Sequence, residues 1–132
     1  IIDAIMNYDI PRHCLEEVKV TVKGLMPNLI KPSAVDLCIV FSNMLSNAIL
    51  AVNQCVDLPD ARLVIDFQAG KRFVCITVSN TVCEKETLTF QHTNKDRNHG
   101  FGLSKIREVL EKYNGRYAAL HKAKRHKSYM KD

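Results

Sequence analysis

The stretch Asn98-His99-Gly100-Phe101-Gly102-Leu103 constrains this chain more than any other, because it runs into an amphipathic helix that ends at Tyr113-Asn114-Gly115. Two glycines flanking one residue let a backbone lie close to another group, since no Cβ intrudes and positive φ carries little penalty. A helix following them presents free N–H groups and the positive end of its dipole, which suits phosphate oxygens. Leu103, Ile106, Val109, Leu110 and Tyr113 recur at helical spacing and mark the face that packs inward. Glu108 and Lys112 stand at i,i+4 in the favourable order, and Asn114-Gly115 is a helix stop. A glycine turn that merely starts a surface helix would satisfy the same pattern, so this stretch alone does not define a site.

The chain's 132 residues suffice for one domain with a sizeable core and not for two, so a single domain over 1–132 is expected. Its 46% hydrophobic and 25% charged content is that of an ordinary globular protein. No apolar run approaches the roughly 20 residues of a membrane span, and no secretory signal pattern opens the chain. It begins mid-pattern, at Ile1-Ile2-Asp3-Ala4-Ile5 without a Met, as expected of a fragment of a longer protein. Five cysteines, odd in number and set in apolar segments, point to reduced, buried thiols in a cytosolic protein rather than a disulfide frame or zinc site. The five histidines have no metal-binding spacing. Part of the net charge of +5 is concentrated between His121 and Lys131. Such a tail is most simply a solvated end, although nucleic acid or an anionic membrane would also attract it.

In chain order, residues 1–17 predict a short helix around Ile2, Ile5 and Met6, interrupted before Pro11. Val18, Val20 and Val22 alternate with polar residues and predict a half-exposed strand that Gly24 ends. Leu25 to Pro32 is expected to be loop. Ser33 is a candidate N-cap, with Asp36 in the first turn, for a long helix from Ala34 to Gln54. Its core stripe is Leu37, Phe41, Met44, Leu45, Ala48 and Val52. Arg62–Gln68 and Phe73–Ser79, joined through Ala69-Gly70-Lys71, predict an antiparallel hairpin. Glu84 to Asn98 is polar and aperiodic, a long loop of the functional kind. Arg116–His121 predicts a further strand, and the basic tail offers another. The expected class is α+β, a two-layer sandwich of a mixed, mostly antiparallel sheet with helices on one face.

A second constellation lies inside the long helix. Asn43 and Asn47 are four residues apart, so their carboxamides project side by side. Asparagine is mildly unfavourable in mid-helix, and its side-chain oxygen is a neutral hard ligand suited to Mg²⁺ that keeps waters and phosphate oxygens. Two asparagines that hydrogen-bond neighbouring loops would explain the pair equally well.

Taken in order, these features resemble the ATP-binding domain of the GHKL superfamily, the Bergerat fold shared by sensor histidine kinases, gyrase, Hsp90 and MutL. Asn43-Met44-Leu45-Ser46-Asn47-Ala48 resembles its N-box, and His99-Gly100-Phe101-Gly102-Leu103-Ser104 its second glycine box. Glu111-Lys112-Tyr113-Asn114-Gly115 is similar to the peptide-sensing, quorum-sensing type of bacterial sensor kinase. The resemblance covers about Ile1 to Tyr117. It implies that Asn47 coordinates Mg²⁺ with Asn43 beside it near the phosphates. It also implies that Gly100, Phe101, Gly102 and Leu103 offer backbone N–H groups to the triphosphate of ATP. Lys95 would reach a phosphate as a flexible point charge, while His99 either contacts phosphate or caps the loop. Where the family reads adenine with an Asp-x-Gly-x-Gly box, this chain has Val78-Ser79-Asn80-Thr81-Val82. Asn80 then takes that place with a weaker acceptor. Many relatives carry a Glu one turn before the first N-box Asn, where Ile39 and Val40 stand here.

By this resemblance the chain is a cytoplasmic catalytic domain of a sensor histidine kinase, C-terminal in a membrane-anchored homodimer. It would pass a γ-phosphoryl group to a histidine on the kinase's own dimerisation domain and thence to a response regulator. The implied chemistry is mostly positioning and charge neutralisation. His13 does not resemble the acceptor and reads as a surface residue. Two rivals remain: a degenerate, non-catalytic GHKL module that binds partners with little or no ATP affinity, and a nucleic-acid-binding domain using the basic tail, which no recognition element supports.

Overall fold

A computed structural model describes residues 1–27, 31–71, 73–83, 97–122 and 125–131, and for 97–101 and 118–131 describes the backbone. The order of elements is α1 (Ile2–His13), β1 (Lys19–Lys23), α2 (Ala34–Asn53), β2 (Arg62–Ala69), β3 (Val74–Thr81), α3 (Arg97–Lys112), β4 (Tyr117–Lys122) and β5 (Arg125–Lys131). The five strands form one mixed sheet in the order β1-β2-β3-β5-β4. β1 runs parallel to β2, with α2 as the crossover, and every other pair is antiparallel. Alternation decides which face is covered: Leu63, Ile65 and Phe67 of β2 and Val74, Ile76 and Val78 of β3 are buried. The expected α+β two-layer sandwich is the observed one.

α2 is the central element of the helical layer. Ser33 caps it, its Oγ accepting the Asp36 N–H at 3.2 Å. All six residues of the anticipated core stripe are buried, with Phe41, Leu45 and Val52 fully inaccessible. Truncating a phenylalanine at such a position to alanine costs about 3–5 kcal/mol. By length and by its mean hydropathy of 1.8, α2 also qualifies as a membrane span, contrary to the expectation from apolar runs, but 56% of it is buried inside this fold. It is the core helix of the sandwich.

Two turns follow from local sequence. The hairpin closes where Gly70 N–H donates to the Phe73 carbonyl at 2.9 Å, and its register runs from Ala69↔Val74 to Leu63↔Asn80. The Asn114-Gly115 stop is a Schellman motif. The Gly115 N–H returns to the Leu110 carbonyl at 2.8 Å and the Asn114 N–H to Glu111 at 3.4 Å, with Asn114 carrying the positive φ of 53°.

Four expectations need correction. α1 continues through Pro11 to His13: the proline removes one i−4 hydrogen bond, but only two residues follow it in the helix and the Cys14 N–H still reaches the Ile10 carbonyl at 3.0 Å. Val18, just ahead of β1, is buried and Val20 half-buried, but Val22 is 46% exposed, so the alternation fades along this edge strand. The basic tail is no free end: β5 is laddered between β3 and β4. Of the five free cysteines only Cys55 is buried, and the rest are half-buried. The loop expected over Glu84–Asn98 lies outside the described residues, except that Arg97 and Asn98 already belong to α3.

Candidate functional site

The two anticipated constellations meet. A Cβ placed on Gly102 would lie 3.3 Å from Asn43 Oδ1 and 4.0 Å from Asn47 Nδ2. Asn43 is held in this pose because its Nδ2 donates to the Ile39 carbonyl one turn back, at 2.6 Å, which turns Oδ1 toward α3. Both asparagines are half-buried at the border of the α2 core stripe.

Gly102 acts here through its missing side chain and not through its dihedrals. α3 begins at Arg97, so the glycines lie within its first two turns instead of forming a turn ahead of it. The only glycine among the described residues with positive φ is Gly24. A helix starting at Arg97 leaves its unpaired N–H groups in the turn that contains Asn98 and His99, while Gly102 and Leu103 lie inside the helical hydrogen-bond ladder. Gly102 is buried and Leu103 half-buried. Of His99, Gly100 and Phe101 only the helical backbone is described, and Lys95 lies outside the described residues.

Asn80 occupies the last part of β3, in the row of Ile76 and Val78 that faces the helices, and is 2% exposed. Its Nδ2 donates to the Thr81 carbonyl at 3.3 Å, whereas its Oδ1 has no partner among the described residues. The orientation is not arbitrary, since only the NH₂ end of an amide can face a carbonyl. A buried acceptor left unmade costs about 1–3 kcal/mol, so this atom is a strong candidate for ligand contact. The end of β3 is tied to the end of α2. Cys55 Sγ reaches the carbonyls of Thr81 (3.4 Å) and Ala51 (3.5 Å), and the Cys83 N–H donates to Cys55 Sγ at 3.1 Å. Ala51 lies one turn beyond Asn47, about 6 Å along the helix. Asn80 and the amide–glycine contact therefore form two stations along α2.

The profile of the GHKL domain family matches residues 33–125, the segment holding both asparagines, Asn80 and the glycine helix. The chain belongs to this family. No curated protein matches it in sequence. Among solved structures, the GHKL domain is similar to the catalytic domain of histidine kinase ThkA, with a TM-score of 0.67 at 16% identity over 98% of this chain and 85% of that one. The Acinetobacter baumannii histidine kinase AdeS gives 0.67 at 13% identity, over 98% of this chain and 61% of that one. Full-length ShkA in complex with AMPPNP gives 0.70 at 13% identity, over 98% of this chain and 28% of that one. The shared fold is that of a histidine kinase catalytic domain.

Sequence reasoning missed a polar cluster at the opposite end of the contact between α2 and α3. In this GHKL domain the Tyr113 hydroxyl donates to Asp36 Oδ2 at 2.5 Å and accepts the Ser33 N–H at 3.3 Å. Lys112 reaches across to Asp36 Oδ1 at 3.4 Å, instead of back to Glu108. The hydrogen bond from Tyr113, then the Lys112 charge, hold the Asp36 carboxyl below the usual carboxylate range, against the opposing effect of desolvation. The signal was present in the capping pair Ser33–Asp36, but nothing local joins it to Tyr113. A cavity of about 750 Å³ lies elsewhere, lined by Ile2, Met6, Val22, Met26, Leu37 and Phe67 among others, and touches none of the site residues. Its lining side chains are mostly apolar and the charged one is Asp3, a poor match for a triphosphate. Among the described residues no cluster of three or more His, Cys, Asp or Glu could hold a metal.

Proposed function

We propose that this GHKL domain binds Mg-ATP and donates the γ-phosphoryl group to a histidine outside the chain, as the catalytic domain of a sensor histidine kinase. The observation that carries this reading is the approach of Gly102 to the paired amides of Asn43 and Asn47. At Gly102 the α3 backbone lies directly against Asn43 Oδ1, with Asn47 Nδ2 farther off, a close approach that a side chain would crowd and that sets both amides beside the start of α3. The residues fit Mg²⁺: Asn47, with Asn43 beside it, would hold the ion with neutral oxygens while phosphates and waters complete its shell. The ion would supply charge neutralisation on the β- and γ-phosphate oxygens.

The protein's own part is positioning. The first turn of α3, with His99 and Gly100, directs free N–H groups and the helix dipole at the triphosphate, and Gly102 lets Asn43 and Asn47 close on it. Phe101, Leu103 and Lys95 belong to the same binding segment. At the other station Asn80 Oδ1 accepts a hydrogen bond from the nucleobase. One turn before Asn43 stand Ile39 and Val40, whose side chains cannot activate water, and the Ile39 carbonyl is taken by Asn43. That suits transfer to a nucleophilic histidine better than hydrolysis. The similarity of Glu111–Gly115 to peptide-sensing kinases supports a place in that branch. There the domain would work inside the cell, beneath a membrane-anchored, dimeric sensor, with a response regulator receiving the phosphoryl group.

Titration calorimetry with ATP tests this. Saturable heat that depends on Mg²⁺ is the expected result, together with transfer of radiolabelled phosphate to an added histidine-bearing dimerisation domain. No heat at millimolar nucleotide would favour the non-catalytic interaction module instead.

A further inference from the structure

We infer that Cys55 and Cys83 form a redox-active pair whose thiols close into a reversible disulfide under peroxide, bracing the end of α2 to the end of β3. The two residues are 28 positions apart, and the fold brings them together. Cys55 lies just past the end of α2 and is 1% exposed, whereas Cys83 is half-buried just past β3. The Cys83 N–H donates to Cys55 Sγ at 3.1 Å, and the Cys55 thiol reaches the Thr81 carbonyl at 3.4 Å. Cys83 Sγ lies 3.9 Å from the Gln54 carbonyl oxygen, in the peptide group joined to Cys55. Both sulfurs therefore border the same turn of chain. Only one side chain, one hydrogen bond and one N–Cα bond separate the two Cα atoms, which sets them close to the spacing of about 4.4–6.8 Å that a disulfide needs.

Burial assigns the two thiols different parts. Oxidation of a thiol follows its exposure, so the half-buried Cys83 meets a small oxidant before Cys55 does. Its sulfur attacks one oxygen of hydrogen peroxide and the O–O bond breaks, giving a Cys83 sulfenic acid and water. Cys55 Sγ then attacks the sulfenic sulfur. The S–S bond forms, the S–O bond breaks, and the hydroxyl leaves with the Cys55 proton as a second water. In total two thiols lose two electrons and one peroxide becomes two waters. A resolving thiol at this distance intercepts the sulfenic acid before it advances to the irreversible sulfinic acid, and a dithiol reductant restores the pair by exchange. Buried cysteines also serve as small hydrophobes, but that role needs no hydrogen bond from one cysteine to the sulfur of the other. No such bond joins Cys14, Cys38 or Cys75 to another cysteine among the described residues.

The reduced 132-residue chain is treated with hydrogen peroxide, its remaining thiols are alkylated in denaturant, and its peptides are mapped by mass spectrometry. The expected product is a link between Cys55 and Cys83 that dithiothreitol reverses. It should form at least about tenfold faster than a link between any other two cysteines, because this pair is already held together. Cys83→Ser is expected to lose the link and to leave Cys55 a thiol, with its melting curve recorded alongside. Should that variant fail to fold, the map of the parent decides alone. Cys83 driven to the sulfinic acid with Cys55 intact overturns the inference. So does a link elsewhere that forms equally fast, or recovery of both Cys55 and Cys83 as thiols. None of these outcomes bears on the nucleotide site proposed above.

Discussion

The two ends of the seam between α2 and α3 carry polar groups of opposite character. At one end Asp36, Tyr113, Ser33 and Lys112 satisfy one another, and each oxygen of the Asp36 carboxylate has a donor. At the other end, about 10 Å along α2, Asn43 Oδ1 faces the bare backbone of Gly102. Across the sheet side of the same helix layer, Asn80 Oδ1 has no partner among the described residues. A saturated cluster contributes to the fold, whereas polar atoms held in place but left incomplete reserve their bonding for something that arrives. Lys112 and Tyr113 hold α3 against α2 through side chains at one end, and at the other the helices meet through the bare Gly102 backbone.

The largest effect that could break this contrast is Gly102→Val. Its Cβ would start 3.3 Å from Asn43 Oδ1 and its methyls would fill the approach. Mg-ATP affinity should fall by about a hundredfold or more while the chain still folds, as followed by calorimetry and circular dichroism. Unchanged affinity would mean that the glycine end is packing and not a site. Next, Asn47→Ala should weaken ATP binding by about tenfold in Mg²⁺ and leave binding in EDTA nearly unaltered, a difference that assigns the amide to the cation.

Tyr113→Phe should act in the reverse sense. It removes the donor to Asp36 and lowers the melting temperature, yet leaves the dissociation constant for Mg-ATP within about twofold. Collapse of binding without a change in melting would erase the distinction between the two ends. The smallest effect is on acid stability. Because the folded Asp36 carboxyl lies below its unfolded value, its contribution is present above about pH 4, the unfolded carboxylate range, and is lost as pH falls through the lower folded value. Acid denaturation of Tyr113→Phe should accordingly show a shallower dependence in that window than the parent.

Much of the fold was legible because it is periodic. Phe41, Met44, Leu45, Ala48 and Val52 can share a face only in a helix, and a polar cap at Ser33 sets where that helix starts. The hairpin turn at Gly70 and the stop at Asn114-Gly115 are equally local. The place of β5 was not legible. A basic segment with weak alternation becomes a strand between β3 and β4 because sheet edges on both sides offer it hydrogen bonds. The start of α3 was misplaced for a related reason, since glycine permits a turn but does not demand one.

The sequence by itself determined which groups exist and how each is presented locally: two amides one turn apart, two glycines flanking Phe101 at the head of an amphipathic pattern, and a strand pattern leading to Asn80. Only the tertiary structure decided that Gly102 stands against Asn43 and that Asp36 is claimed by Tyr113. Those contacts join segments far apart along the chain, and no propensity or spacing encodes a distance that depends on how two helices pack on one sheet.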